Sequence, residues 1–177
     1  MKKIGLGLFF IFVIATNSAI SQEYPGYRDS PIAIAQYKLN NTYIKVTYGK
    51  PFKRGRKVFG GFVPYGRVWR TGANEATEIT FTKDIYFGPK FLKAGTYSLF
   101  TVPGENSWII ILNKKLGQFG AFEYDRKQDL LRITVPIIKS AEREDFLIEF
   151  RQAEKENVVN MILWWDNIQV HIPLKIL

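Results

Sequence analysis

The chain has 177 residues, 46% hydrophobic and 15% aromatic, with 25 basic side chains against 16 acidic and a net charge of +9. That much apolar and aromatic content excludes intrinsic disorder, and the length suits one domain with a core of its own. The absence of cysteine excludes a disulfide scaffold, a thiol nucleophile, an iron–sulfur cluster and a cysteine zinc site, and a single histidine, His171, excludes any metal site built on two imidazoles.

The N-terminus reads as an export signal. Met1-Lys2-Lys3 is a short basic start, and Ile4 to Ala15 is an apolar run of 12 residues. A spanning helix needs about 20 apolar residues, so this run is a signal-peptide core rather than an anchor. Small residues at Ala19 and Ser21 predict cleavage after Ser21, leaving Gln22 as the mature terminus. No cysteine follows, so a lipoprotein is excluded. The expectation is a periplasmic or extracellular protein with no transmembrane segment in its mature part. Losing Lys2 and Lys3 takes the basic count to 23 and the net charge to +7. Outside the cytoplasm, anionic envelope polymers, carbohydrate or lipid head groups are the partners such a charge suits, and nucleic acid is not.

After a stretch expected to lack order, Gln22–Asp29, the dominant period becomes two. Ile44, Val46 and Tyr48 alternate with polar residues in Thr42–Gly49, as do Thr77, Ile79 and Phe81 in Thr77–Thr82. Asp145–Arg151 and Ile168–Lys175 repeat the pattern, which marks strands with one face in the core. Tyr97–Val102, Trp108–Leu112, Leu130–Val135 and Val158–Trp165 are β-branched and aromatic throughout and read as strands buried on both faces. Gly88-Pro89-Lys90 and Pro103-Gly104-Glu105-Asn106 supply turns. Pro173 predicts an edge strand, and Ser140–Glu144 is the only stretch that tolerates a helical turn. Nine or ten short strands without crossover helices predict an all-β antiparallel sandwich or jelly roll over residues 30–177.

The segment Lys50–Ala76 breaks the rhythm, with five glycines, two prolines and short strand candidates only at Val58-Phe59 and Val68-Trp69. Connections beyond about 12–15 residues are uncommon in compact domains and are mostly functional or disordered. Phe59, Phe62 and Trp69 need burial, so an ordered loop packed on the sandwich is expected. That makes it the first place to look for function.

In this region the sequence resembles a known family. Ser30-Pro31, Tyr48-Gly49-Lys50-Pro51, Gly55-Arg56, Val58-Phe59-Gly60 and the string WRTGANEAT (Trp69–Thr77) resemble the bacterial family named domain of unknown function 2911. AGTYSLFTVPG (Ala94–Gly104), Trp108 and Asn113 continue the match. Gly49 departs from the pattern, which has a small hydroxyl residue there. The resemblance implies an exported single domain of a kind common in Bacteroidota, and implies no activity.

The string sets Arg70, Asn74, Glu75 and two hydroxyls within nine residues of the loop-to-strand junction. Arg70 could grip a carboxylate or phosphate in bidentate fashion, and Arg54 and Arg56 would add positive field. Tyr48, Arg54, Arg56, Trp69, Arg70, Asn74, Glu75 and Thr77 are therefore the candidate ligand-binding residues. Two readings compete. In one, an Arg–Glu–Asn knot answers the unpaired backbone groups of the loop. In the other, the residues line a site: either a binding module for an anionic or carbohydrate-like envelope ligand, or a hydrolase with Glu75 as general acid or base, Arg70 stabilising charge and Asn74 orienting substrate. Glu78 joins Glu75 among the acids that could form a glycosidase pair. His171 has no nucleophile-elbow motif near it and is expected on the surface. Nothing in the chain calls for a metal or an organic cofactor.

Overall fold

The computed structural model describes residues 28–177; the leader, and residues 22–27 of the stretch expected to lack order, lie outside them. Nine strands follow one another: β1 (Ile32–Leu39), β2 (Thr42–Gly49), β3 (Thr77–Phe81), β4 (Ile85–Phe87), β5 (Lys90–Leu92), β6 (Gly95–Val102), β7 (Ser107–Asn113), β8 (Asp129–Gln152) and β9 (Val158–Ile176). Every pairing is antiparallel, and the strands form one sheet in the order β1-β2-β3-β6-β7-β8-β9-β4-β5. The all-β antiparallel expectation holds, with the layers of the sandwich drawn from one continuous sheet.

The 24-residue strand β8 makes that possible. Up to Pro136 it pairs with β7, and from Ile137 onward it pairs with β9. Pro136 has no N–H to donate, so it fits the corner where the strand changes partner. The register then shifts between Lys139 and Arg143 and again between Arg143 and Leu147. Ser140–Glu144, expected as a helical turn, is thus the irregular bend of a strand, because bulges bend and twist a strand without ending it. Pro173 is not on an edge strand, as β9 has β8 on one side and β4 on the other. The proline lies beyond Val170, the last residue of β9 paired with β8, so no ladder bond is lost there.

Folding the sheet over brings its two halves face to face. Ile44, Val46, Ile79, Phe81, Leu99 and Ile110 from one half meet Phe146, Ile148, Met161, Leu163 and Trp165 from the other, all essentially without solvent contact. Each such side chain stabilises the fold by roughly 1.5–3 kcal/mol relative to exposure. The far end closes as well: Tyr37 of β1 packs on Phe150, and Tyr48 of β2 accepts a hydrogen bond from the Ile148 N–H at 3.1 Å. β6 and β7 are buried on both faces, as their composition predicts, because the segment 114–128 covers Phe100 and Ile111 on the outside. Leu130–Val135 is one-faced, with Leu130 and Thr134 exposed.

Candidate functional site

The segment between β2 and β3 is ordered by three attachments. Pro51–Lys53 runs beside the bend of β8, where the Phe146 N–H donates to the Pro51 carbonyl (2.9 Å) and the Lys53 N–H to the Glu144 carbonyl (2.7 Å). Lys53 Nζ then reaches Asp166 (2.8 Å) and Glu142 (2.5 Å), which together hold its pKa well above the usual lysine value. The second attachment is Trp69. Its backbone exchanges both hydrogen bonds with Thr101, and its indole packs on Trp165, Trp108, Phe146 and Phe59 with centroids 5.1–6.3 Å apart. Phe59 is buried with it, whereas Phe62 stays half-exposed, touching Trp165 edge-on and carrying the Arg56 guanidinium 3.9 Å above its ring. The third is Gly49, whose carbonyl accepts the Ala73 N–H at 3.1 Å; a Cβ on Gly49 would stand 2.0 Å from the Ala73 carbonyl oxygen. Bare backbone is required there.

Within WRTGANEAT the backbone turns sharply. Thr71 and Asn74 have φ of 55° and 62°, a region that asparagine tolerates and a β-branched residue does not favour. Thr71 is held there by burial, by the Thr101 hydroxyl at 3.1 Å, and by its carbonyl accepting the Thr77 hydroxyl at 2.7 Å. These turns send consecutive side chains to different clefts: Asn74 lines one, Glu75 another.

The first cleft, about 160 Å³, has Arg54, Arg56, Arg70 and Asn74 on its walls, with Asp29 and Phe62. Arg54 and Arg56 are at the exposed level and Arg70 is half-buried. Arg54 Nη2 donates to the Asp29 carbonyl (3.0 Å) and lies 3.4 Å from its carboxylate, an exposed pair worth little. Arg56 is fixed by donating to the Lys53 and Phe52 carbonyls (3.0 and 2.8 Å). Arg70 is different. Its Nε is shut off from water with no hydrogen-bond partner, and among the described residues no carboxylate pairs with it. Burial alone pushes its pKa down. An unanswered buried donor of this kind costs about 1–3 kcal/mol.

The second cleft, about 330 Å³, is lined by Glu75 and Glu78 with Gln118 and the apolar Ile32 and Ala76. Glu75 gives both carboxylate oxygens to Arg28 Nη1 (2.7 and 2.8 Å), and that bond holds its pKa below the usual carboxylate range. A general acid working near neutral pH needs the opposite shift, so this pairing does not favour the acid role of Glu75 in the hydrolase reading.

The eight candidates therefore separate. Arg54, Arg56, Arg70 and Asn74 meet in one cleft. Glu75 belongs to the other, paired with Arg28 and not with Arg70, so the expected Arg70–Asn74–Glu75 cluster does not form. Tyr48, Trp69 and Thr77 lie beside the loop, but they are buried and their polar atoms are engaged inside: the Tyr48 hydroxyl with Ile148, the Trp69 indole N–H with the Gly72 carbonyl (3.0 Å), Thr77 with Thr71. Tyr48 also lines the second cleft. Sequence reasoning missed Arg28, Gln118 and the wall made by Ile32, since none belongs to a local pattern. His171 is half-buried rather than exposed, 2.7 Å from Gln169 Oε1, and burial lowers its pKa. Among the described residues no group of three or more His, Asp or Glu side chains could hold a metal ion, and no helix is long and apolar enough to cross a membrane.

Residues 30–174 match the family described as Protein of unknown function (DUF2911). The chain belongs to this family. Neither a curated protein nor a solved structure matches it. The family span opens at Ser30, whose carbonyl accepts the Asn74 side chain at 3.3 Å, and closes at Leu174, paired with Phe87 of β4. The arginines of the first cleft and the carboxylates of the second are thus part of the family domain, while Arg28 and Asp29 precede it.

Proposed function

We propose that this family member is an exported binding module whose first cleft seats the anionic group of a cell-envelope ligand. The observation that carries the reading is Arg70, a half-buried guanidinium with an unanswered Nε, on one wall with Arg54, Arg56 and Asn74. An oxyanion answers such a donor and offsets the desolvation of the guanidinium at once, and Arg is the side chain best shaped for bidentate capture. About 160 Å³ is below the size of a pocket for a whole drug-sized ligand, so the cleft suits a phosphate, sulfate or carboxylate head rather than an entire molecule. Charge is favoured over neutral sugar because the exposed ring of the cleft, Phe62, already has a face covered by Arg56. The net charge of +7 without the leader adds attraction toward anionic surfaces.

Two measurements test this. Calorimetric titration with inorganic phosphate, and with a phosphorylated polysaccharide, should show binding that weakens with salt and is lost in Arg70→Gln. Wild-type affinity retained by both Arg70→Gln and Arg56→Gln would remove the cleft from consideration. N-terminal sequencing of the protein recovered outside the cytoplasm should begin at Gln22, and a chain retained inside with Met1 would contradict export.

A further inference from the structure

The second cleft differs in chemistry from everything around it. On a strongly basic chain its charged side chains are both acids, Glu75 and Glu78, set beside Thr47, Tyr48 and the carboxamide of Gln118 and against the apolar Ile32 and Ala76. Gln118 is 3% exposed, its Nε2 is committed to the Lys115 carbonyl at 2.7 Å, and its Oε1 is buried with no donor. Glu78 accepts the Gly117 N–H through one oxygen at 2.9 Å, which leaves the other without a partner among the described residues. A buried acceptor without a donor is uncommon and points to one supplied from elsewhere.

We propose that this cleft is a second binding site, for an alkylguanidinium or alkylammonium group. The cation would be met by Glu75 and Glu78, one of its N–H donors would answer Gln118 Oε1, and its methylene stem would lie on Ile32 and Ala76, as long basic side chains bury their stems while their heads stay paired. Arg28 shows the recognition already at work, because its guanidinium holds both Glu75 oxygens. Yet Arg28 is not on the cleft wall and makes no bond to Glu78 or Gln118, so the inner acceptors are left for a ligand. It stands as an internal competitor for Glu75, and its positive charge opposes an arriving cation. The same group can be presented by a small free cation or by an arginine of a peptide.

The test is titration of the full chain, followed by amide NMR, with butylguanidine, with butylamine, with pentanol as the uncharged control, and with a short peptide carrying one arginine between apolar residues. Butylguanidine is expected to shift the amides of Glu78 and Gln118 and to bind at least tenfold more tightly than pentanol. Glu78→Gln and Gln118→Leu should each weaken it about tenfold, and Arg28→Ala should strengthen it. Gln118→Leu removes the orphan acceptor, and the Lys115 carbonyl that loses Nε2 keeps the Ser98 hydroxyl at 2.7 Å, so the thermal midpoint should hold or rise, which separates lost recognition from lost folding. A peptide that outcompetes butylguanidine assigns the site to a protein partner, and equal affinity assigns it to a small cation. Binding no tighter than pentanol, or indifferent to both Glu78→Gln and Arg28→Ala, overturns the proposal. Arg70→Gln should leave these titrations unchanged, so the two clefts stand or fall separately.

Discussion

Two clefts lie on either side of one short turn, and neighbouring residues divide between them: Asn74 lines the arginine-walled cleft and Glu75 the acceptor-walled one. In the first, a donor lacks an acceptor, Arg70 Nε; in the second, an acceptor lacks a donor, Gln118 Oε1. Both imbalances sit within reach of a backbone held in the left-handed region at Thr71 and Asn74. A purely structural knot would have answered Arg70 Nε by pairing it with Glu75. Arg70 and Glu75 stay apart, with Arg28 paired to Glu75, which supports the proposal of two sites over that of one knot.

The comparison breaks most completely if the anchor shared by both clefts is removed. Trp69→Ala deletes the ring at the centre of the Trp108–Trp165–Phe146–Phe59 cluster and should lower stability by about 4 kcal/mol in denaturant titration, abolishing phosphate and guanidinium binding together. Gly49→Ala is the next largest. Its new methyl meets the Ala73 carbonyl, so residues 73–75 must shift, costing about 2–3 kcal/mol and weakening both titrations. A Gly49→Ala variant with wild-type stability would mean the turn is slacker than its contacts imply.

Arg70→Met sharpens the contrast by separating stability from binding. It removes a half-buried guanidinium with an unanswered Nε, so the thermal midpoint should stay level or rise, while phosphate binding falls at least tenfold and the second cleft is untouched. A fall in both stability and guanidinium binding would show that Arg70 holds the loop together instead.

Much of the fold is legible in the sequence because alternation is local: Ile44-Val46-Tyr48 and Ile168-Val170-Ile172-Leu174 declare their inner faces without reference to any partner. The continuity of β8 is not legible, since Pro136 and the polar run Lys139–Glu144 look like punctuation, and only the change of partner from β7 to β9 explains them. The arginine half of the first cleft could be read from the loop's composition. The parting of Asn74 and Glu75 could not, because no period governs a segment whose φ angles change sign. Arg28 was out of reach for a simpler reason: it meets Glu75 across 47 residues of chain.

The smallest expected effect concerns that pair. Glu75 has a depressed folded pKa, so whatever the pair adds to stability is present above its ordinary value of 4.5 and is lost as the pH falls through the lower folded value. In Arg28→Ala the Glu75 carboxyl carbon should titrate at a higher pH than in the wild type. Coincident titrations would show that Arg28 leaves Glu75 largely in water.

The most direct measurement of the central claim is the Nε–Hε resonance of Arg70, followed in a nitrogen-labelled sample as inorganic phosphate is added at low salt. The account predicts a single saturable shift at Arg70, accompanied by the Asn74 side-chain amide and absent from Glu78 and Gln118. A resonance unmoved at saturating phosphate, or shifts spread evenly over surface lysines and arginines, would contradict it.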